Sequence, residues 1–319
     1  MKVLITGFAG FIGSYLTELL LNRGYEVVGI DNFNSFYNPA IKRNNIKQFQ
    51  NHVNLTWFDS NINNDEVLRN AFQKNIDVVM HLAASAGVRP SMVDPVGYAS
   101  NNITEYVALL NAMQKHNVNK MVFASSSSVY GNLDKIPFTE DMNLDNVQSP
   151  YAATKLSSEI FNKMYFDVYG ISIINLRFFT VYGPRQRPDL AIHKFTKMIL
   201  GGETIQLYGN GELERDYTYV EDTVSGVLGA IERISKNNSI FETYNLGNNT
   251  PIKTIKLVEI LGNIIGKNPI YELCEIPKGD VKITYADISK AQKCLNYNPQ
   301  TNLEEGLRNF WEWYKNTYL

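Results

Sequence analysis

The chain has 319 residues, 44% of them hydrophobic, which is enough for one large α/β domain with an appendage or for two ordinary domains. Its 30 basic and 32 acidic residues nearly balance and form no basic tract, which argues against nucleic acid as a partner. No apolar run reaches the ~18 residues that a membrane span needs, and the isolated Cys274 and Cys294 lack metal-site spacing and favour a reducing, cytoplasmic location.

A glycine-rich segment follows the first predicted strand, residues 3–5, and opens a helix that is predicted to end near Gly24. Gly7 permits a tight turn, Gly10 lets backbone approach a pyrophosphate, and Gly13 lets the helix pack closely on the strand. The N–H groups at the start of the helix then face the phosphates. Glycines at this spacing are often only a turn, but between a strand and a helix they predict a dinucleotide site.

The second predicted strand, residues 26–30, ends at Asp31. A carboxylate at that place accepts hydrogen bonds from a ribose diol and repels a 2′-phosphate, which favours NAD over NADP. Taken alone, Asp31 would be a turn residue at a strand end. A strand predicted at residues 77–84 runs into small residues that leave room for a dinucleotide, and His81 within it is predicted to be a core histidine.

Tyr151 and Lys155 lie four residues apart on a helix predicted over residues 151–169, so they share one face. A phenol has a pKa near ~10, and a nearby ammonium lowers it. Such a tyrosine can take a proton from a sugar hydroxyl or return it. On its own, the pair is more typical of a half-buried helix face. A polar turn predicted at residues 125–128, after a fifth strand at residues 120–124, would bring a hydroxyl to share that proton.

Strands and helices alternate up to a sixth strand, residues 171–179. This alternation predicts an α/β fold with a doubly wound parallel sheet of the Rossmann type. Arg177, Arg185 and Arg187 cluster around the end of that strand. Such a cluster is usually a solvated surface, but between a sheet edge and a second domain it could equally bind an anion.

Motifs spread over nearly the whole chain resemble those of the extended short-chain dehydrogenase/reductases that act on nucleotide sugars. They are GFAGFIG from Gly7, HLAA from His81, SSSSVYG from Ser125, YAATK from Tyr151, RFFTVYGP from Arg177, RDYTYVED from Arg215 and YNLG from Tyr244. Within that group the chain is most similar to UDP-glucuronate 4-epimerases, on YNPAIK from Tyr37, AGVR from Ala86, RQRPDLA from Arg185 and YADISK from Tyr285. The resemblance implies an isomerase that uses bound NAD and a UDP-sugar substrate.

The resemblance also implies a smaller C-terminal α/β domain that binds the nucleotide sugar. We expect an NAD-binding domain over residues 1–180, with a later segment near residues 216–248 returning to it, and a nucleotide-sugar-binding domain over residues 181–319. A homodimer is expected through two long helices that begin near Pro95 and Tyr151, because their outward apolar residues would otherwise be exposed.

The mechanism implied by the resemblance centres on Tyr151. As phenolate, it would take the proton from the sugar 4-hydroxyl while hydride passes from C4 to NAD. The 4-keto sugar would turn over in the pocket and receive the hydride on its other face, so NAD would stay bound. Lys155 would lower the pKa of Tyr151 and hold the nicotinamide ribose, and Ser126 matches the family's catalytic serine or threonine.

The resemblance carries over two sets of contacts and no metal site. The expected cofactor contacts, besides Tyr151 and Lys155, are Gly7, Gly10, Phe11, Ile12, Gly13, Asp31, Asn32, Asn61, Ile62, Leu82, Ala83, Ala84 and Asn102. The expected substrate contacts are Val88, Arg89, Ser126, Ser127, Ser128, Thr180, Arg185, Arg187, Arg215 and Asp280. Asn61 stands where the family often has an aspartate, and Lys278 separates Pro277 from Gly279, which the family usually joins.

Arg187 bears on the choice of substrate. A 4-keto uronic acid is a β-keto acid and loses CO₂ readily, so a 4-epimerase must grip the carboxylate in a geometry that discourages the loss, as a guanidinium fork can. Arg89 and Arg185 are weaker candidates for this grip. For each of the three arginines, a salt bridge at a domain interface is the plain alternative.

Other functions stay open beside UDP-glucuronate 4-epimerisation. An epimerase for UDP-glucose or a UDP-N-acetylhexosamine would not need Arg187, and a decarboxylase would use UDP-glucuronate but release CO₂. A 4,6-dehydratase would carry acidic residues where this chain has Ser127 and Ser128. A non-catalytic NAD-binding scaffold would tolerate loss of Tyr151 or Lys155, and both are present.

Overall fold

A computed structural model of the chain describes residues 1–277 and 279–319, so Lys278 lies outside the described residues. The strands are β1 Lys2–Thr6, β2 Glu26–Asp31, β3 Leu55–Asp59, β4 Val78–His81, β5 Lys120–Ser126, β6 Ser172–Phe178, β7 Thr180–Tyr182, β8 Ile205–Tyr208, β9 Glu214–Tyr219, β10 Phe241–Leu246, β11 Pro251–Lys253 and β12 Tyr271–Cys274. The helices are α1 Phe11–Asn22, α2 Pro39–Ile46, α3 Asp65–Phe72, α4 Val88–Val93, α5 Pro95–Ala99, α6 Glu105–Lys115, α7 Pro150–Tyr169, α8 Ala191–Gly201, α9 Val220–Lys236, α10 Thr254–Ile265, α11 Ser289–Leu295 and α12 Leu303–Tyr318.

The described strands build one large sheet in the order β10-β6-β5-β4-β1-β2-β3, and every pairing in it is parallel. Alternate residues of β1 enter separate cores, because strand side chains point to opposite faces. Val3 and Ile5 pack in one core with α1 and α9, whereas Leu4 packs in the other with α3 and α6. The predicted α/β class with a doubly wound parallel sheet is confirmed.

Several predicted boundaries move in the structure. The strand predicted over residues 77–84 ends at His81, whereas β5 continues through Ser126, because Ser125 and Ser126 pair with β6. The serine turn therefore begins only at Ser127, as one 3₁₀ turn to Tyr130. The long helix predicted from Pro95 is interrupted between α5 and α6 by a π-turn, Ser100–Thr104, a feature that often marks functional sites.

The chain after β6 builds two smaller sheets and then rejoins the large one. β9 pairs with β7 in parallel and with β11 antiparallel, while β8 pairs with β12. β10 adds to the edge of the large sheet beside β6, within the segment near residues 216–248 that was expected to return. The domain boundary after residue 180 stays a prediction. In the part of the chain that is described, no helix is both long and apolar enough to span a membrane.

Candidate active site

A cleft of about 460 Å³ follows the carboxyl ends of the parallel strands. Its walls come from the loops after β1, β2, β4, β5 and β6 on one side. Arg215, Asp280 and Thr284 complete it from the C-terminal half of the chain. Ligands bind at this edge of open α/β sheets, where the loops between strands and helices converge.

The glycine loop holds the start of α1 against β1 and β4. Gly7 has φ +73°, and a Cβ there would lie 2.9 Å from the backbone nitrogen of Ala83. A Cβ on Gly13 would lie 2.1 Å from the carbonyl oxygen of Gly7. Phe11 and Ile12, the first residues of α1, line the cleft beside the glycines. The free N–H groups of this first turn fit a pyrophosphate.

Asp31 lines the cleft and has one carboxylate oxygen without a partner among the described residues. It is 4% exposed, and its Oδ1 accepts hydrogen bonds from Phe33 N and Lys42 Nζ, each at 2.9 Å. Its Oδ2 is buried and has no hydrogen-bond partner among the described residues. A buried carboxylate oxygen without a donor fits a ribose hydroxyl. Lys42 ends the YNPAIK motif, but sequence reasoning assigned it no role, because the sequence does not show that a lysine on α2 reaches the end of β2.

Other expected cofactor residues divide between the cleft wall and its support. Ile62, Asn32, Leu82, Ala83 and Ala84 line the cleft. Asn61 and Asn102 do not. Asn61 Oδ1 accepts a 2.6 Å hydrogen bond from Asn32.

Asn102 is buried and braces the loop after β4 instead of facing the cleft. Its Oδ1 accepts from Ser85 N at 2.8 Å, and its Nδ2 donates to Ser85 O at 2.9 Å and to Thr154 at 3.1 Å. Asn102 therefore supports the loop after β4, and its expected contact with the cofactor stays a prediction.

Ser126, Tyr151 and Lys155 all line the cleft. α7 begins at Pro150, with Ser149 as its N-cap accepting a 3.2 Å hydrogen bond from Ala152 N. This places Tyr151 in the first turn and Lys155 one turn deeper. The Lys155 amino group is buried and donates to the carbonyl oxygen of Ala124 at 2.7 Å. The three side chains therefore converge where β5 ends and α7 begins.

Burial raises the pKa of Tyr151, while the Ser126 hydroxyl and the charge of Arg187 lower it. Burial also lowers the pKa of Lys155 to about 7, and the carboxylate of Glu159 acts in the opposite direction. The groups that lower the pKa of Tyr151 in this arrangement are thus Ser126 and Arg187. The expectation that Lys155 also lowers it stays a prediction, since Lys155 Nζ donates to Ala124 O.

A buried ionic network lies behind Lys155. Arg177 donates to Glu159 Oε1 at 3.1 Å and to Oε2 at 2.8 Å, and to the hydroxyl of Tyr130 at 3.0 Å. Ser125 also donates to Glu159. Arg177 is 4% exposed, so it is a structural partner of the lysine helix and not part of an anion site.

The three clustered arginines therefore lie in three different environments. Arg185 pairs with Glu18 at 2.7 Å, and its guanidinium lies 4.5 Å from the ring centre of Tyr15 on α1. It lies outside the cleft wall and joins the loop after β7 to α1. Its expected contact with the substrate stays a prediction. Of the cluster, Arg187 alone lines the cleft.

Arg187 is held by a carboxylate of its own loop. Its Nε donates to Asp189 Oδ1 at 2.9 Å and its Nη2 to Asp189 Oδ2 at 2.6 Å. Nη2 also donates to Ala86 O at 3.2 Å. Arg187 and Tyr151 line the same cleft, and the charge of Arg187 lowers the pKa of that phenol.

Asp280 in the cleft wall pairs with two arginines, one from each half of the chain. Arg215 donates to Asp280 at 2.5 Å, and Arg89 reaches the other oxygen of Asp280 at 3.1 Å. Arg89 stacks on the ring of Tyr208 at 4.3 Å and lies outside the cleft wall. The other expected substrate residues line the cleft: Val88, Ser127, Ser128 and Thr180.

The cleft also contains residues that sequence reasoning did not assign to it. They include Phe36, Tyr37, Lys42, Glu105, Gln148 and Leu190. Tyr37, Lys42 and Leu190 stand in the motifs YNPAIK and RQRPDLA, which could have suggested them. His81, in contrast, lies in the core as predicted: it is buried, bonds Thr6 at 2.8 Å and stacks on Tyr106.

Known NAD-dependent sugar-nucleotide enzymes are similar to this chain over nearly its whole length. The model of the family described as GDP-mannose 4,6 dehydratase matches residues 4–310. The chain is 40% identical to a UDP-glucuronate 4-epimerase of Thermodesulfobacterium geofontis, over 98% of this chain and 95% of that protein. The crystal structure of UDP-glucuronic acid 4-epimerase from Bacillus cereus, in complex with UDP-glucuronic acid and NAD, superimposes with a TM-score of 0.92 at 38% identity and covers 100% of both chains. UDP-glucose 4-epimerase from Thermotoga maritima, solved with UDP-glucose, gives a TM-score of 0.88 at 33% identity over 100% of both chains.

Proposed function

Because this chain belongs to the GDP-mannose 4,6 dehydratase family of extended short-chain dehydrogenase/reductases, we propose that it interconverts UDP-glucuronate and UDP-galacturonate with bound NAD. It is then an isomerase that inverts one carbon of a UDP-sugar. Ser126, Tyr151 and Lys155 in the cleft support the reaction type, and Arg187 supports the choice of substrate.

Arg187 is the observation that carries the choice of substrate. Its guanidinium lines the cleft and acts on the phenol of Tyr151, so a sugar held at that phenol would have a cation within reach. A uronate presents a carboxylate there, and an arginine fork recognises carboxylates. The 6-hydroxymethyl group of UDP-glucose or of a UDP-N-acetylhexosamine would leave this cation without an anionic partner from the substrate.

The cleft supports NAD as the cofactor. The first turn of α1 would hold the pyrophosphate, and the free Oδ2 of Asp31 would accept from the adenosine ribose. Lys42 would keep Asp31 in place through its 2.9 Å ion pair. When bound, NAD takes up a hydride from the sugar and gives it back. The protein's own residues do the rest, which is binding, orientation and proton transfer.

Tyr151 is proposed to remove the proton of the sugar 4-hydroxyl and to return it after the sugar has turned over. Burial opposes formation of the phenolate, so positive charge and a hydrogen-bond donor must lie beside it. Ser126 supplies the donor and Arg187 supplies charge. Lys155, which donates to Ala124 O, is proposed to contact the nicotinamide ribose.

We also propose that the protein is a homodimer. α7 turns polar residues such as Ser158 and Asn162 inward and leaves Ile160 and Val168 on the surface, 65% and 64% exposed. Val96 on α5 is 78% exposed. Apolar patches of this kind on neighbouring helices are usually covered by a partner. A second copy of the chain would cover them.

The two free cysteines fit a reducing, cytoplasmic location.

The proposal is tested by incubating the purified protein with UDP-glucuronate, with no NAD added, and reading the products by NMR. UDP-galacturonate without CO₂ is expected, and it would show that NAD co-purifies. A UDP-pentose with CO₂ would identify a decarboxylase instead. Turnover of UDP-glucose or UDP-N-acetylglucosamine, with none of UDP-glucuronate, would keep the reaction type and refute the substrate.

A further inference from the structure

Asp189 lies on the loop between β7 and α8, two residues after Arg187. We propose that Asp189 is a positioning residue, which fixes the guanidinium of Arg187 so that one chosen edge of it faces the sugar carboxylate. This inference rests on the proposed function, in which Arg187 holds a uronate. The orientation of Arg187 would then be set by Asp189, which itself lies outside the cleft wall.

The pairing between the two residues leaves little freedom to the guanidinium. Both carboxylate oxygens of Asp189 accept hydrogen bonds, from Nε at 2.9 Å and from Nη2 at 2.6 Å. Two parallel bonds of this kind fix both the distance and the plane of the fork. Because the residues are two apart in one loop, the pair forms with little loss of chain entropy.

Two other loops hold the same guanidinium. Ala86 O, on the loop after β4, accepts from Arg187 Nη2 at 3.2 Å and from the hydroxyl of Tyr98 at 3.0 Å. The rings of Phe36 and Tyr37, on the loop after β2, have their centres 5.1 Å and 6.0 Å from Arg187 Cζ. The guanidinium therefore has fixed neighbours along its edge and near its faces.

The Nη1 end of the Arg187 guanidinium remains available to a ligand. A guanidinium has five N–H donors. One on Nε and both on Nη2 point to Asp189 and Ala86 in this structure, which leaves the two on Nη1 without a partner among the described residues. These donors are the ones that can meet a carboxylate in the cleft. Asp189 thus determines which nitrogen of the Arg187 guanidinium can bind the substrate carboxylate.

This orientation matters because of the side reaction of the keto sugar. In a 4-keto uronate, CO₂ leaves when the C5–C6 bond breaks and its electron pair enters the C4 carbonyl as an enolate, which then takes a proton at C5. That step needs the C5–C6 bond aligned with the carbonyl π orbital. When a fixed guanidinium holds the carboxylate, the C5–C6 bond stays near the plane of the C4 carbonyl. A mobile guanidinium would move with the carboxylate and let this bond leave that plane.

The test compares Asp189→Asn and Asp189→Ala with the unsubstituted protein. Glu304→Gln is the matched control, since Glu304 pairs with Arg308 at the same 2.6 Å on the exposed side of α12. Affinities for UDP-glucuronate and UDP-glucose are measured by calorimetry, and products of UDP-glucuronate by NMR together with released CO₂. Should the alanine variant fail to fold, the isosteric asparagine variant decides.

We expect both Asp189 variants to bind UDP-glucuronate between about tenfold and a hundredfold more weakly, to keep their affinity for UDP-glucose, and to release a larger share of product as UDP-pentose and CO₂. Unchanged affinity and product ratio would overturn the inference. Tighter binding of UDP-glucuronate would also overturn it, because Asp189 would then compete with the substrate. Both of these outcomes leave the proposed function standing, whereas an unsubstituted protein that does not prefer UDP-glucuronate to UDP-glucose contradicts it as well.

Discussion

A single methyl group at Gly13 should test how the glycine loop serves the cofactor. Gly13 lies inside α1, where alanine would ordinarily stabilise the helix by about 1 kcal/mol relative to glycine. Here the added Cβ would lie 2.1 Å from Gly7 O and 2.9 Å from Phe8 Cα, which are backbone atoms and cannot turn aside. The start of α1 must therefore move away from β1 by roughly 1 Å to restore normal contact distances.

The cost follows from that displacement. Overpacking of this kind costs about 1–3 kcal/mol, which more than offsets the gain in helix propensity. The same movement carries the N–H groups of the first turn away from a bound pyrophosphate. Losing one charge-assisted hydrogen bond costs about 1.5–3 kcal/mol, so the affinity for NAD should fall at least about tenfold.

The assay is calorimetric titration of NAD into cofactor-stripped protein, with thermal unfolding measured alongside. Gly24→Ala is the matched control: Gly24 has φ +76°, but a Cβ there meets nothing within 4 Å, and it lies at the far end of α1. It should cost some stability through backbone strain and leave NAD affinity unchanged. A Gly13→Ala protein that is more stable than the parent and binds NAD equally well would refute the close-packing argument.

Three further predictions concern the substrate, the buried lysine and the surface. Arg187→Ala should keep the fold and lower kcat/KM for UDP-glucuronate about a hundredfold or more, because a desolvated charge pair is lost, and unchanged turnover would remove Arg187 from the site. Since burial lowers the pKa of Lys155 to about 7, the unfolded chain binds a proton that the folded chain does not between about pH 7 and its usual pKa near ~10.4. The free energy of unfolding should rise with pH across that window, and Lys155→Met should flatten the rise in chemical-denaturation curves; an identical pH dependence in both proteins would contradict the burial of a neutral amine. Ile160→Asp places a charge on the exposed apolar face of α7 and should give monomers in sedimentation, whereas Lys163→Ala, at a solvated position nearby, should not.

Much of the cofactor half of the site was predictable because its signals are local. The glycines at positions 7, 10 and 13 act within one turn between a strand and a helix, and Pro150 after Ser149 marks the start of α7. Helix geometry alone then puts Tyr151 and Lys155 on one face. The alternation of strands and helices likewise predicted the parallel sheet, although the ends of β4 and β5 moved, because strand ends depend on what the neighbouring strand pairs with.

The tertiary structure alone decided which charged groups meet. Arg177, Arg185 and Arg187 form one cluster in the sequence, yet they pair with Glu159, Glu18 and Asp189, and the first two of these acids lie 18 and 167 residues away along the chain. The same holds for Asp280, which meets Arg215 and Arg89. The pKa shifts of Tyr151 and Lys155 also come from burial, which depends on how the whole chain packs. Spacing determines which side chains share a turn, but charges interact through space, so their partners appear only once the chain has folded.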